Sequence, residues 1–257
     1  MYRIPCGILD LIWRHYHVQI LLEAAVVLAA YIFGSIPFGL LIVRLINGKD
    51  IRSFGSGRTG GTNAFRAAGF GAGLFTAIFD ILKAALTVWL AKMVTPNAWI
   101  HILAPLAALI GHNHSIFLPE RTADGRLRFR GGAGGAAAVG GTFGLWSPAL
   151  LIMFPVGLLI WWGVGYASIT TLSIGVMTVI IFSIRAMLGT SPWTYALYGL
   201  LVELLMLWAL RPNLRNLRLG TERRHGLPVK LQERRLQRQK SQQPPGTSPG
   251  PHQVEEK

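Results

Sequence analysis

Charge is scarce in this chain of 257 residues: Asp and Glu number 11, Lys and Arg 25, and only 14% of positions are charged. A soluble domain carries about a quarter, so too little polar surface is left to solvate a water-soluble fold of this length. Cysteine is scarcer still, and the single Cys6 excludes an internal disulfide framework and any multi-cysteine metal site. No fixed period runs through the chain, which excludes collagen-like and solenoid repeats. No Gly-Lys-Ser/Thr closes a Walker-type nucleotide loop. What is abundant is apolar: 51% of residues are hydrophobic and the mean hydropathy is +0.43. That content excludes disorder over most of the chain and predicts an all-α, polytopic membrane helix bundle.

A spanning helix needs roughly 20 apolar residues, the number that crosses about 30 Å of hydrocarbon at about 1.5 Å per residue. The sequence offers about seven such segments, near 22–43, 73–94, 98–118, 133–147, 148–163, 167–187 and 193–210. The fourth and fifth are short and meet at Ser147-Pro148 in a tight hairpin; merged, they would leave six spans. The basic residues favour seven. If 44–72, 120–132 and everything after Leu210 share one side, that side holds 20 of the 25 Lys and Arg. The opposite side holds Arg3, Arg14, Lys92 and Arg185, and Lys83 falls within the second segment. Excess Lys and Arg mark the cytoplasmic side, which puts the N-terminus outside and the C-terminus in the cytoplasm. The expected organisation is an interfacial segment over 1–20, a transmembrane domain over 21–225, and a disordered basic tail over 226–257. The tail is read as touching anionic lipid. Nucleic acid is not read as a partner, because no aromatic platform or recognised motif accompanies the charge.

Polar residues gather in three clusters on the basic side. The first, Gly55-Ser56-Gly57-Arg58-Thr59-Gly60-Gly61-Thr62-Asn63 followed by Arg66, combines small residues that let backbone N–H groups approach a ligand with hydroxyl, amide and guanidinium donors. That is phosphate-binding chemistry, although a Gly/Ser stretch also serves as a flexible linker. The second is Gly111-His112-Asn113-His114-Ser115, then Phe129-Arg130-Gly131-Gly132-Ala133-Gly134-Gly135-Ala136, opening the fourth segment. A helix N-terminus behind an Arg suits an anion, while small residues equally serve helix packing in membranes. The third, Arg211 to Arg218 with Gly220-Thr221-Glu222, follows the last segment, where basic residues also serve topology. Within the segments, Asp80 and Lys83 are three apart and share a helix face, and charges in lipid must pair or face the bundle interior. Glu203 carries the same implication. His112 and His114 have no carboxylate or third imidazole beside them in sequence, so no metal and no cofactor is read.

These clusters resemble, in order, the motifs of the bacterial acyl-phosphate:glycerol-3-phosphate acyltransferases. Gly55 to Asn63 follows the family form Gly-Ser-Gly-Asn-x-Gly-Ala-Thr-Asn except at Arg58 and Gly61. Gly111, His112, Phe117, Phe129, Gly131, Gly132 and Gly134 fit the second motif, Phe-Lys-Gly-Gly-Lys-Gly-Val-Ala-Thr, and the Gly-His element before it. Arg211, Asn213, Leu214, Leu217, Gly220, Thr221 and Glu222 fit the third, which begins with His. Tyr166 to Ile169 resembles a serine-bearing segment. The departures are Arg58 for Asn, Arg130 and Ala133 for the two Lys, and Leu210 for the His.

The resemblance covers roughly 23–225 and implies a multi-pass inner-membrane enzyme. Its reaction would move an acyl group from acyl phosphate to the 1-hydroxyl of glycerol 3-phosphate, giving lysophosphatidic acid for phospholipid synthesis. No His is followed five residues later by Asp, which excludes the acyltransferases built on that dyad. The residues it implies for catalysis are Ser56, Arg66, Arg130 and Asn213. Those it implies for substrate binding are Gly55, Gly57, Thr62, Asn63, His112, Gly131, Gly132, Gly134 and Ser168. The alternative raised by the departures is a diverged paralogue that binds or moves a phosphorylated lipid precursor. Membrane lipid is the expected surrounding; the oligomeric state is left open, and a monomer is compatible with the sequence.

Overall fold

The computed structural model describes residues 6–224 and 226–242. Apolar runs become helices because the interior of a bilayer leaves backbone N–H and C=O groups no partner but each other. Helix α1 (Cys6–Gly34) stops where Ser35-Ile36-Pro37 interrupts it, Pro37 having no N–H to give and crowding the residue before it. Helix α2 (Phe38–Asn47) continues to Gly48, whose N–H bonds the Arg44 carbonyl. Helix α3 (Gly61–Val94) bends sharply at Ala68 and Gly69; Gly69 has φ 85° and ψ −176°, a conformation open to glycine alone. The arm 61–67 is thereby set apart from the long rod that follows. Helices α4 (Ala98–Asn113), α5 (Gly135–Leu145), α6 (Ala149–Gly163), α7 (Ala167–Met187) and α8 (Trp193–Ala209) follow in turn. The chain then bends by 65° into α9 (Arg211–Arg218), and α10 (Leu227–Gln242) ends the described residues.

The fold is the expected polytopic helical bundle, and the seven expected segments coincide with α1 running into α2 and with α3 to α8. Length separates them into two kinds. By length and composition, Tyr16–Asn47, Gly61–Val94 and Ala167–Met187 can cross a membrane, and α8 with α9 does so if the bent pair is one span. Helices α4, α5 and α6 have 16, 11 and 15 residues. At about 1.5 Å per residue, α5 covers about half of the hydrocarbon thickness. It is also buried on most of its surface, from Ala137 through Thr142. Its small side chains serve close packing against α3 and α4. The central core collects Ile102, Leu109, Phe182, Tyr198, Val202 and Met206 from α4, α7 and α8 around it.

Four local features differ from the sequence reading. Of the interfacial segment expected over 1–20, residues 1–5 lie outside the described residues, and from Cys6 the chain is helical and continuous with the first apolar segment. The stretch 227–242, expected within a disordered tail, is helical; its Leu, Gln, Glu, Arg and Lys are strong helix formers, whatever their polarity. The remainder of that tail, 243–257, lies outside the described residues. A small antiparallel pair, β1 (Pro119–Arg121) and β2 (Leu127–Phe129), folds the long loop after α4, its turn made by Asp124-Gly125 with Gly125 at φ 78°. Lastly, the first glycine-rich cluster is only half loop, because Gly61, Thr62 and Asn63 form the first turn of α3.

Candidate functional site

The three polar clusters converge on a cavity of about 790 Å³. The first cluster is held in shape by Asn63, which is buried, with Nδ2 within 3.1, 3.0 and 2.8 Å of the carbonyl oxygens of Ile51, Phe54 and Arg58. Ser56, Thr62 and Arg66 line the cavity beside the first turn of α3, where the Asn63 and Ala64 N–H groups bond the Gly60 carbonyl and those of Gly61 and Thr62 precede any helical acceptor.

The second cluster runs without regular secondary structure along the end of α4. The Gly132 N–H donates to the His112 carbonyl at 2.8 Å, and the Thr59 N–H donates to the Gly131 carbonyl at 3.3 Å. A Cβ on Gly132 would lie 1.9 Å from His112 Nε2, so glycine there makes room for the imidazole.

The third cluster brings Glu222 back across α9. Its Oε2 accepts from Ser168 Oγ at 2.6 Å and its Oε1 accepts from Asn213 Nδ2 at 3.4 Å.

Asp80 and His112 reach the cavity from the bundle interior. The Lys83 ammonium is 2.8 Å from Asp80 Oδ1, 3.0 Å from His112 Nδ1, and donates to the Ile36 carbonyl at 3.0 Å. His112 Nδ1 is 3.4 Å from the same carboxylate oxygen. The expected Asp80–Lys83 pair is therefore present, with His112 as a third member drawn from α4. Arg58 crosses the site, its guanidinium donating to the Gly132 carbonyl at 3.1 Å and to the Ala209 carbonyl. Burial lowers its pKa from the ordinary value, with the positive charge of Arg128 adding to the effect, yet a guanidinium stays protonated.

Thr171, Asn216, Thr221 and Arg223 add to the polar end, and an apolar wall faces it: Phe65, Phe70, Leu74, Phe154, Leu158 and Trp161 line it, with Phe65 and Trp161 edge to face at 6.0 Å. Phe70 and Phe154 are mostly exposed on the outside of the bundle. The polar end thus continues into a surface that hydrocarbon would wet.

Nine of the residues expected at the site line this cavity: Gly55, Ser56, Thr62, Asn63, Arg66, His112, Gly134, Ser168 and Asn213. Gly57, Arg130, Gly131 and Gly132 do not. Arg130 is turned toward the hairpin, where its Nε bonds Glu120 of β1. The Arg58 and Glu222 side chains and the aromatic wall are additions to the expected site residues. The sequence does carry a signal for Glu222, as the single carboxylate closing a basic cluster. The aromatic wall has none, since apolar residues on membrane helices read alike whether they face lipid, core or cavity.

Fold and site together define a class: an integral-membrane helical protein with a cavity that joins a cationic, hydroxyl-rich end to an apolar wall. Residues 24–220 match the family model described as glycerol-3-phosphate acyltransferase. A glycerol-3-phosphate acyltransferase of Thermus thermophilus is 40% identical over 200 residues, covering 77% of this chain and 93% of that protein. One of Rubrobacter xylanophilus is 36% identical over 206 residues, covering 80% and 96%. The crystal structure of PlsY (YgiH), an integral membrane glycerol 3-phosphate acyltransferase, in its glycerol 3-phosphate form, superposes with a TM-score of 0.68. It is 27% identical and covers 81% of this chain and 98% of that one. Its lysophosphatidic acid form superposes with a TM-score of 0.65 at 26% identity, over 79% and 95%. The chain belongs to the glycerol-3-phosphate acyltransferase family.

Proposed function

We propose that the protein transfers an acyl group from acyl phosphate to the 1-hydroxyl of glycerol 3-phosphate, at the cytoplasmic face of the inner membrane. The observation that carries this reading is the cavity that offers cations and hydroxyls at one end and an aromatic-aliphatic wall at the other. A phosphorylated, water-soluble acceptor fits the first and an acyl chain the second. The chemistry asks little of the protein. Acyl phosphate is a mixed anhydride: the acceptor oxygen bonds the carbonyl carbon, the bond from that carbon to the bridging phosphate oxygen breaks, and phosphate leaves with the electron pair. The hydroxyl proton ends on the departing phosphate. Positioning and charge stabilisation can then supply most of the acceleration.

In this reading Arg66, Ser56, Thr62 and the free N–H groups of the first α3 turn hold a phosphate. Glu222 fixes Ser168 and Asn213, which orient the acceptor. His112, held by Asp80 and Lys83, and the backbone at Gly134 shape the same end. The acyl chain enters sideways past Phe70 and Phe154. The bias of Lys and Arg toward the loops that carry all three clusters supports placing this end in the cytoplasm, with the N-terminus outside.

The purified protein, reconstituted in vesicles, is offered radiolabelled glycerol 3-phosphate with acyl phosphate, acyl-coenzyme A or acyl carrier protein as donor. Labelled lysophosphatidic acid is expected with acyl phosphate. Product only with one of the other donors would overturn the donor assignment. Binding without any product would leave the non-catalytic reading, which Ala133 and Leu210 on the cavity wall favour because neither carries charge.

A further inference from the structure

Arg58 is the residue at which the first cluster departs from the motif it resembles, and it occupies an unusual place. It lines the cavity and is largely withdrawn from water, yet no ion pair among the described residues joins it to a carboxylate. Asp80 is engaged with Lys83 and His112, and Glu222 with Ser168 and Asn213. An uncompensated charge out of water costs several kcal/mol, and two main-chain carbonyls offset part of that. A guanidinium has five N–H donors; these two carbonyls use one apiece.

The identity of the two carbonyls matters. They belong to Gly132 and Ala209, the residues immediately before Ala133 and Leu210. Both of those line the cavity, and they are the two positions where the resembled motifs carry a Lys and a His. A methyl and an isobutyl group stand there instead, and one guanidinium from a different segment reaches across both. Resting on the acyl-transfer reading, we propose that Arg58 is the principal cation for a substrate phosphate dianion, replacing from the first cluster the charge missing at 133 and 210. The planar fork matches two oxygens of one phosphate, and the tie to Gly132 and Ala209 holds it beside the uncharged side chains of Ala133 and Leu210 on the cavity wall.

The test compares wild type, R58Q, R58K and the double variant R58N/A133K, all purified in detergent. Melting temperatures with and without glycerol 3-phosphate are recorded, together with KM and kcat for each phosphate substrate in turn. R58Q keeps a donor and loses the charge. It is expected to fold, to raise KM for one of the two substrates by about 10–100-fold, the worth of a charged hydrogen bond, and to change kcat less. The substrate whose KM rises is the one whose phosphate Arg58 holds. The double variant, with its ammonium at 133, is expected to recover most of that loss. Both KM values within twofold of wild type in R58Q, or a folded double variant with no recovery, would overturn the proposal. Should R58Q fail to fold, R58K decides: a folded R58K with KM about tenfold higher supports the fork, and an unchanged KM overturns it. The thermal shift with glycerol 3-phosphate keeps the two claims apart. Ligand stabilisation of wild type without lysophosphatidic acid formation would fail the enzyme reading, while its loss in R58Q would still uphold the phosphate contact.

Discussion

Asp80, Lys83 and His112 are bonded to one another and to a main-chain carbonyl, whereas Arg58 and Arg66, on the same cavity, meet no carboxylate within ion-pair distance among the described residues. Both groups keep charge away from bulk water. In the first, attraction within the group offsets the cost of leaving water, and the result is a fixed wall. In the second the offset is incomplete, and under the proposed function an anionic ligand completes it. The contrast separates charges that hold the bundle together from charges that the proposed function assigns to substrate, although both lie within the same helices and loops.

The comparison breaks most visibly at Asp80. Removing one partner of a buried pair strands the other, at about 3–5 kcal/mol. Asp80→Ala is therefore expected to lower the yield of monodisperse protein and its melting temperature in detergent. An unchanged melting temperature would mean that the Lys83 ammonium is neutralised some other way. Arg66→Ala acts on the opposite term. It removes a cation that has no ion-pair contact and feels Glu222 only from a distance, so stability should change little, while acyl transfer from acyl phosphate should fall by about 10²–10³-fold, or about 2.7–4 kcal/mol. Near-normal rates would remove Arg66 from the phosphate site. The smallest effect is expected at Glu222, which lies between the two cases as a carboxylate whose hydrogen-bond partners are neutral donors while its charge attracts Arg66 from a distance. Glu222→Gln keeps the shape and should cost about tenfold in kcat/KM, or ~1.4 kcal/mol, through loosened Ser168 and Asn213. A loss as large as that of Arg66→Ala would show that the carboxylate charge itself acts on the substrate.

Much of this architecture is legible in the sequence. Runs of apolar residues between basic loops specify the helices, because both hydrocarbon and the backbone's need for partners act on short stretches of chain. Asp80 and Lys83 can be paired from a three-residue spacing alone. The clusters are legible as a set because their small and polar residues are costly in lipid wherever they stand. Side-chain directions that depend on distant segments are not legible. Arg130 reads as a site residue, yet Glu120 of the hairpin draws it away; Arg58 reads as a departure, yet it meets Gly132 and Ala209 across the site. The α3 break escapes the sequence for another reason: Gly69 follows a helical pattern and interrupts it only through its backbone.

The Arg58 contacts also bear on the order in which the molecule is made. They join residue 58 to residues 132 and 209, separations of 74 and 151 positions, and contacts between such distant points cannot be rewarded until the loops between them are closed. Helices α3 to α8 must all be in place before the guanidinium finds its second carbonyl. A chain emerging from the ribosome, or one truncated before α8, has membrane helices but no complete cavity. The cavity wall is thus closed only as the last helices arrive, because Leu210, Asn213 and Glu222 belong to it.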